Sequence, residues 1–446
     1  MNSELHNHPL VRAYLDRVCA NVRARAVHEE IRLEMAGHLE DLAAEISETD
    51  DISSDEAIEQ ALRQMGDPNL VGRQLHAAHK PKLAWSLLAI VAALFLIGLL
   101  ASFAVYEALD GQVLLKRKLA FGIMGLAALF ACYFVNTRVL LRFSGWLFGG
   151  TLALMAATFW WGPTINGARL WISVGGYDLN VYPISPYLLI IGAAGMLYRK
   201  KRGMVSPRWV AMPAWIKETI LLIVLPVFLY GMAPDLGSLA VYVGSLTIML
   251  LILKAQRVLY AGLGLIVALA GLAFLRGPES MQYRIDRLTS FIIRDENNSY
   301  IILRSIDAIR SGGMWGQGFG AENRRLPYIQ SDALFSYLVY SLGWVFGLAL
   351  AALALLFIIR AVRMSLKLRN AYDQTLVAGL AAVLGIQLLW HILMSLGWLP
   401  YSGLQLPFVA WSSGTFIEMG AAGLILSAYR RKDMHGSRLA INKHKM

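Results

Sequence analysis

The chain has 446 residues, of which 57% are hydrophobic and only 16% charged, whereas soluble domains carry about 25% charged residues. With 12 Trp and 18 Tyr, this composition excludes a purely soluble enzyme, a disordered chain and a disulfide-stapled secreted domain. The net charge of +11 is uneven: residues 1–82 hold nine Lys and Arg against fifteen Asp and Glu, a net of −6, and the remainder nets +17. The basic excess thus belongs to the hydrophobic part, where it marks cytoplasmic loops rather than a nucleic-acid surface.

Residues 1–82 read as a small cytosolic helical domain. Leu33, Leu39 and Leu42 recur at helical spacing beside acidic neighbours. Ser53 and Glu56 form a capping box, in which each side chain satisfies a free backbone N–H of the other. Ile58, Leu62 and Met65 then make an apolar stripe, Gly66-Asp67-Pro68 ends the helix, and a last helix runs through Leu75. His28, His38, His76 and His79 are scattered over this domain. No Cys or carboxylate completes a metal set with them, and solvated helix histidines are the plain reading. Cys19 lies in this polar region and Cys132 in an apolar run, so no disulfide is expected. No signal peptide is expected either, because the first long apolar run starts near Leu83.

From Leu83 the pattern predicts an all-α, polytopic membrane protein. A helix needs about 20 apolar residues to cross a bilayer, and only helices satisfy their own backbone there. Ten spans are expected near 83–106, 119–136, 139–161, 182–198, 214–231, 236–253, 258–275, 333–360, 374–397 and 406–429, making a membrane domain over 83–430 with a basic tail at 431–446. Arg199 to Arg202, Lys254, Arg257, Arg360, Arg363, Lys367, Arg369 and Arg430 to Lys432 then share one side with both termini. That side is cytoplasmic by the positive-inside rule. Lys116-Arg117-Lys118 falls on the other side and is the exception. The loop at 276–331 is too long for a mere connector and is the default place for function.

Several groups there suit chemistry. Asp235, in Pro234-Asp235-Leu236-Gly237, stands at a helix start and reads equally as a cap or as a functional carboxylate. Asp295 and Glu296, beside Arg294, suit a general base near an anionic substrate, or simply a solvated loop. Arg324 and Arg325 suit phosphate oxygens through forked donors, or an interfacial anchor. The run Gly316-x-Gly318-x-Gly320 lacks a preceding strand, so nucleotide binding is not expected. His391 and Glu418 lie within spans, where they either pair inside the bundle or serve a proton relay.

In this order the pieces resemble the SEDS family (shape, elongation, division and sporulation), which includes FtsW, RodA and SpoVE. The resemblance covers residues 83–430. It rests on Gly167-Ala168-Arg169-x-Trp171-Ile172, on Pro234 to Ser238, and on Ser299-Tyr300 with the glycine run from Ser311 to Gly320. Leu326-Pro327 with Ser331-Asp332, and Leu399-Pro400-Tyr401-Ser402-Gly403-Leu404-Gln405-Leu406-Pro407-Phe408, complete it. It implies a peptidoglycan glycosyltransferase in the bacterial cytoplasmic membrane. Such an enzyme polymerises lipid II, a disaccharide-peptide on undecaprenyl pyrophosphate, and works with a class B penicillin-binding protein. The position matching the family's key acid is Asp295, with Glu296 as a substitute. Arg169, Trp171, Asp235, Tyr300, Arg324, Arg325, Asp332 and Pro407 are the implied substrate-binding residues. No cofactor is certain, and a divalent cation, magnesium or manganese, fits the pyrophosphate chemistry. Tyr328 replaces the family's Glu after Leu-Pro, Tyr340-Ser341 replaces its paired Glu, and Tyr182 to Pro186 blurs its Gln-Pro-Ser-Glu. Two alternatives therefore stay open: a lipid-precursor flippase or transporter, and a catalytically silent scaffold for the transpeptidase. Residues 57–68 resemble permease-prefix (HAAS-like) domains, implying a regulatory or interaction role.

Overall fold

The computed structural model describes residues 8–22, 28–50, 52–78, 84–110, 112–164, 169–174, 177–201, 213–233, 235–275 and 299–432. The chain forms two compact units, Met1–Leu83 with Arg430–Met446, and Ala84–Tyr429.

The first unit contains four helices: α1 (Pro9–Ala20), α2 (His28–Asp50), α3 (Ser54–Gln64) and α4 (Pro68–Ala78). Pro9 opens α1, where a missing N–H costs nothing. The capping box of Ser53 and Glu56 is present at α3. Gly66, at φ +84°, ends α3, and Tyr14 closes that corner by donating to the carbonyls of Met65 and Gly66 at 3.3 and 3.2 Å. Burial, then the nearby Asp67 carboxylate, pushes the Tyr14 phenol up. The core gathers Val11, Leu15, Val18, Ile31, Leu39, Ile58 and Ala61. The stripe on α2 differs from the one expected. Ile31, Leu39, Ala43 and Ile46 turn inward, and Leu33 stays 49% exposed. Helical spacing counted from Ile31, rather than from Leu33, reaches these buried positions.

The second unit contains α5 (Trp85–Leu109), α6 (Gln112–Phe134), α7 (Thr137–Trp161), α8 (Ser185–Lys201), α9 (Ala214–Thr219), α10 (Leu225–Met232), α11 (Leu236–Ile252), α12 (Gln256–Leu275), α13 (Tyr300–Ser311), α14 (Leu334–Leu366), α15 (Ala371–Ser395) and α16 (Thr415–Arg430). A π-helical turn, Ile220–Val224, joins α9 to α10. The Tyr242 hydroxyl donates to Leu222 O at 2.6 Å and satisfies a carbonyl of that widened turn. The fold is mostly helical, and the stretch between the expected third and fourth spans holds one strand pair: β1 (Trp171–Val174) and β2 (Tyr177–Asn180) pair antiparallel, Trp171 opposite Asn180.

Among the described residues six helices are long and apolar enough to cross a membrane: Trp85–Leu109, Leu115–Phe134, Thr137–Trp161, Ala214–Met232, Leu334–Leu366 and Ala371–Ser395. Helix α12, with 20 residues, covers the expected span 258–275 in full. The remaining expected spans are shorter: α8 and α11 have 17 residues each and α16 has 16. At 1.5 Å per residue these reach only about 25 Å, against a hydrocarbon core of about 30 Å. The expected last span, 406–429, is helical only from Thr415. Helix α15 is the centre of the bundle. In it 78% of the apolar window is buried, against 22–44% for the other five, and α8, α11 and α14 all pack on it.

Helix α14 is broken at Gly343, with φ 88° and ψ 172°. The glycine run fills the break. Gln317 and Gly318 donate their N–H groups to Tyr340 O and Ser341 O at 2.9 and 3.1 Å. From the other side, Trp344 and Val345 donate to Gly313 O and Met314 O at 2.9 and 3.3 Å. Ser341 Oγ adds a bond to Gly318 O at 2.7 Å. The glycines thus serve close backbone approach, which leaves no role for a phosphate cradle. A Cβ at Gly343 would stand 2.2 Å from Met314 O. Gly343→Ala therefore combines positive-φ strain with a backbone clash and is expected to destabilise the protein by about 2–4 kcal/mol, read as a lower thermal midpoint in detergent.

Candidate active site

The segment between α15 and α16, residues 396–414, is non-helical yet deeply buried from Ser402 to Trp411 apart from Gly403 and Gln405. Backbone groups in such a place need partners from the protein. Side chains supply them. Trp390 Nε1 donates to Pro400 O at 3.3 Å, and His391 Nδ1 lies 2.8 Å from Leu404 O. The Phe408 N–H donates to Glu418 Oε2 at 2.9 Å, and Ser412 N–H to Thr415 Oγ1 at 2.9 Å. The Lys118 ammonium donates to Trp411 O at 3.5 Å. Trp411 itself turns its indole N–H to Phe408 O at 3.1 Å and packs on Phe95, ring centroids 4.6 Å apart. Pro407 is buried inside this turn, so it shapes the segment and presents no open face to a ligand.

His391 and Glu418 are thereby engaged with the loop backbone. Since Leu404 O is an acceptor, His391 carries its proton on Nδ1, and its buried Nε2 has no hydrogen-bond partner among the described residues.

The segment 312–333 approaches the same region. Lys118 also donates to Gln330 O at 3.1 Å. Tyr328, at φ +56°, accepts from Ser331 N and Ala333 N at 3.0 and 3.1 Å, which turns the chain into α14. A Cβ on Gly403 would stand 3.9 Å from Asp332 Oδ2. Tyr401 joins them: its hydroxyl is buried and has no hydrogen-bond partner among the described residues. Burial, then the charge of Asp332, holds its phenol well above the ordinary range. Arg324 is bound to Glu322 at 2.6 Å on the surface, and that hydrogen bond raises its pKa. The Arg325 guanidinium has no partner among the described residues, while its backbone N–H donates to Asn323 Oδ1 at 3.2 Å.

The remaining sequence-derived residues are held by their own neighbours. Asp235 is a helix cap: it accepts from Ser238 N at 3.0 Å and Ser238 Oγ at 2.7 Å. Two residues on, Gly237 lies against Ser402 and Leu404, where a Cβ would approach to 2.9 and 2.8 Å. This contact brings the Pro-Asp-Leu-Gly motif to the Tyr401 loop. Arg169 donates to Phe159 O at 2.8 Å and Thr164 Oγ1 at 3.2 Å, closing the C-terminal end of α7. Trp171 opens β1 and packs on the core edge. Tyr300 opens α13 and carries the Arg304 guanidinium 5.1 Å over its ring. Asp295 and Glu296 lie outside the described residues.

Lys118, Tyr328 and Tyr401 were not singled out from the sequence as site residues. The available signal was Lys118's place as the exception to the charge pattern. Among the described residues no group of three His, Cys, Asp or Glu side chains is placed to hold a metal.

These features define a multi-pass helical membrane protein with a fold seen in cell-wall synthesis proteins. A chain of a solved peptidoglycan synthase complex superposes with a TM-score of 0.60 at 23% identity, covering 78% of this chain and 98% of its own. The rod shape determining protein RodA of Thermus thermophilus gives 0.56 at 24%, covering 78% and 97%. Residues 79–434 match the family model described as cell cycle protein, FTSW_RODA_SPOVE. The chain belongs to this family. Stage V sporulation protein E of Bacillus subtilis is 29% identical over 345 residues, 74% of this chain and 90% of the relative. A probable peptidoglycan glycosyltransferase FtsW of Coxiella burnetii is 30% identical over 322 residues, 70% and 84%.

The structure gives Glu418 a task that its substitutions separate. Glu418→Gln keeps an acceptor for Phe408 N–H and should cost less than about 1 kcal/mol, whereas Glu418→Ala orphans a buried donor and should cost about 1–3 kcal/mol. Thermal unfolding of the two purified variants measures the difference.

Proposed function

We propose that this chain is a peptidoglycan glycosyltransferase that polymerises lipid II at the outer face of the bacterial cytoplasmic membrane. The observation that carries the reading is its match across 84% of the length of a relative named as a probable peptidoglycan glycosyltransferase, with the motif-like stretches at 167–172, 234–238, 299–320, 326–332 and 399–408 in the family's order and departures at Tyr182 to Pro186, Tyr328 and Tyr340-Ser341. The family's wider set of about ten spans is part of the proposal, with both termini cytoplasmic, as the loop charges favour. So is a permease-prefix role for residues 1–82 in regulation or docking. A class B penicillin-binding protein is the proposed partner.

In this mechanism Asp295 accepts the proton of an acceptor-sugar hydroxyl, with Glu296 as its substitute. The oxygen attacks the anomeric carbon of the donor sugar, a new glycosidic C–O bond forms, and the bond to the lipid pyrophosphate breaks. The pyrophosphate leaves with added negative charge, which cationic donors stabilise. Arg325 is the best supported of these, because its guanidinium has no partner among the described residues. Arg324 shares its charge with Glu322, and Arg169 is spent at the α7 terminus. A divalent cation would lower the same charge, with Asp295 and Glu296 as its candidate ligands.

A silent scaffold is the second reading. It is favoured by Ser341, which stands where the family carries a carboxylate and is used to bind the glycine loop. The transporter reading loses support, because His391, Glu418 and Asp235 all have partners in the fold.

The deciding experiment is lipid II polymerisation by purified protein, with and without its transpeptidase. The Asp295→Ala, Glu296→Ala double variant should lose about 100-fold or more of the activity, and full activity in that variant would overturn the mechanism. Arg325→Ala should lose about tenfold more turnover than Arg324→Ala, since only the latter guanidinium is already paired. Equal losses in the same assay would reverse that assignment.

A further inference from the structure

Lys118 is the cation that the charge pattern of the sequence leaves unexplained, and the structure buries it. It has 5% of its surface exposed. Its ammonium donates to Gln330 O at 3.1 Å and to Trp411 O at 3.5 Å. The ion pairs of the described residues do not include it. A buried ammonium without a counter-ion is costly even when it is hydrogen-bonded, and an apolar side chain of the same length would pack there at less cost. Stability alone therefore does not account for a lysine at this position.

Its two acceptors do. Gln330 lies between Tyr328 and Asp332, on the loop that also carries Arg324 and Arg325. Trp411 follows the turn that starts at Leu406, whose carbonyl accepts from Val409 N and Ala410 N at 3.2 and 2.9 Å, and the Phe408 N–H within that turn is held by Glu418. Glu418 and Lys118 thus hold the segment at two points, the amide of Phe408 and the carbonyl of Trp411. We infer that Lys118 is a positioning residue, which fixes the separation between the loop bearing Arg324, Arg325 and Asp332 and the segment 400–411. Its consequence for turnover rests on the glycosyltransferase reading; its consequence for loop geometry does not.

The test uses the full chain in lipid nanodiscs, in a Cys19→Ala, Cys132→Ala background. Nitroxide labels on Asn323→Cys and Ser413→Cys report the loop separation by pulsed electron spin resonance. Lys118→Met, of similar length and apolar, should keep the thermal midpoint but broaden the distance distribution. Lys118→Arg, which keeps two donors, should restore the narrow one. In lipid II polymerisation, without labels, Lys118→Met should lower kcat about tenfold or more through lost alignment. KM should stay within about threefold, because no ligand contact is removed. Lys118→Arg should regain most of kcat. A narrow distribution in Lys118→Met overturns the inference, and so does a rise in KM at unchanged kcat, which would make Lys118 a direct ligand contact. If the parent protein fails to polymerise while the distances respond as expected, the glycosyltransferase reading falls and the positioning inference stands.

Discussion

The constraint on which this structure depends is the satisfaction of backbone groups where the chain is buried but not helical. Residues 400–411 lie against the central helices without a ladder of their own. Each exposed donor or acceptor left in such surroundings would cost about 1–3 kcal/mol. The chain meets this with side chains from three helices: Lys118 from α6, Trp390 and His391 from α15, and Thr415 and Glu418 from α16, while Gly237 of α11 lets the segment come close. Three of these are ionisable groups that would be suspicious in a membrane domain on charge alone. Their partners are carbonyls and an amide, so their first task is architectural.

The same solution recurs at Gly343. A helix that breaks exposes two sets of backbone groups, and the glycine run from Gly312 to Gly318 meets both with its own. Ser341 contributes to this zipper through its hydroxyl. The loop leading to Asp332 is therefore fixed at both ends: at its start by the broken helix, and near its end by Lys118. Positions of this kind tolerate little change in side-chain volume, because backbone rather than flexible side chain stands opposite them.

Much of the architecture was legible in the sequence. Hydropathy located Trp85–Leu109, Thr137–Trp161, Leu334–Leu366 and Ala371–Ser395 to within a few residues, save for the extra turn of α14, because these helices bury or expose apolar faces over their full lengths. The capping box of Ser53 and the stop at Gly66 were readable because both are local. What escaped was non-local. The bonds from Lys118 span 212 and 293 residues of sequence, and no periodicity announces such a contact. The run 406–414 is apolar enough to read as helix, yet Pro407 and the positive φ of Phe408 bend it away. Motif spacing singled out Asp235, Arg324, Arg325 and Asp332 as candidates, but could not tell a guanidinium already paired from one with no partner among the described residues. Arg169 shows the difference: a cation read as a ligand for phosphate is occupied by the carbonyl of Phe159.

The short interior helices have a consequence of their own. At 17 residues each, α8 and α11 are about 12 Å shorter than the 25-residue α7 and α15 beside them. At the Asp235 end of α11 the Ser402–Leu404 chain lies where further turns of helix would stand, as the close approach at Gly237 records. The non-helical segment thus completes the packing of the bundle at the place where α11 stops short.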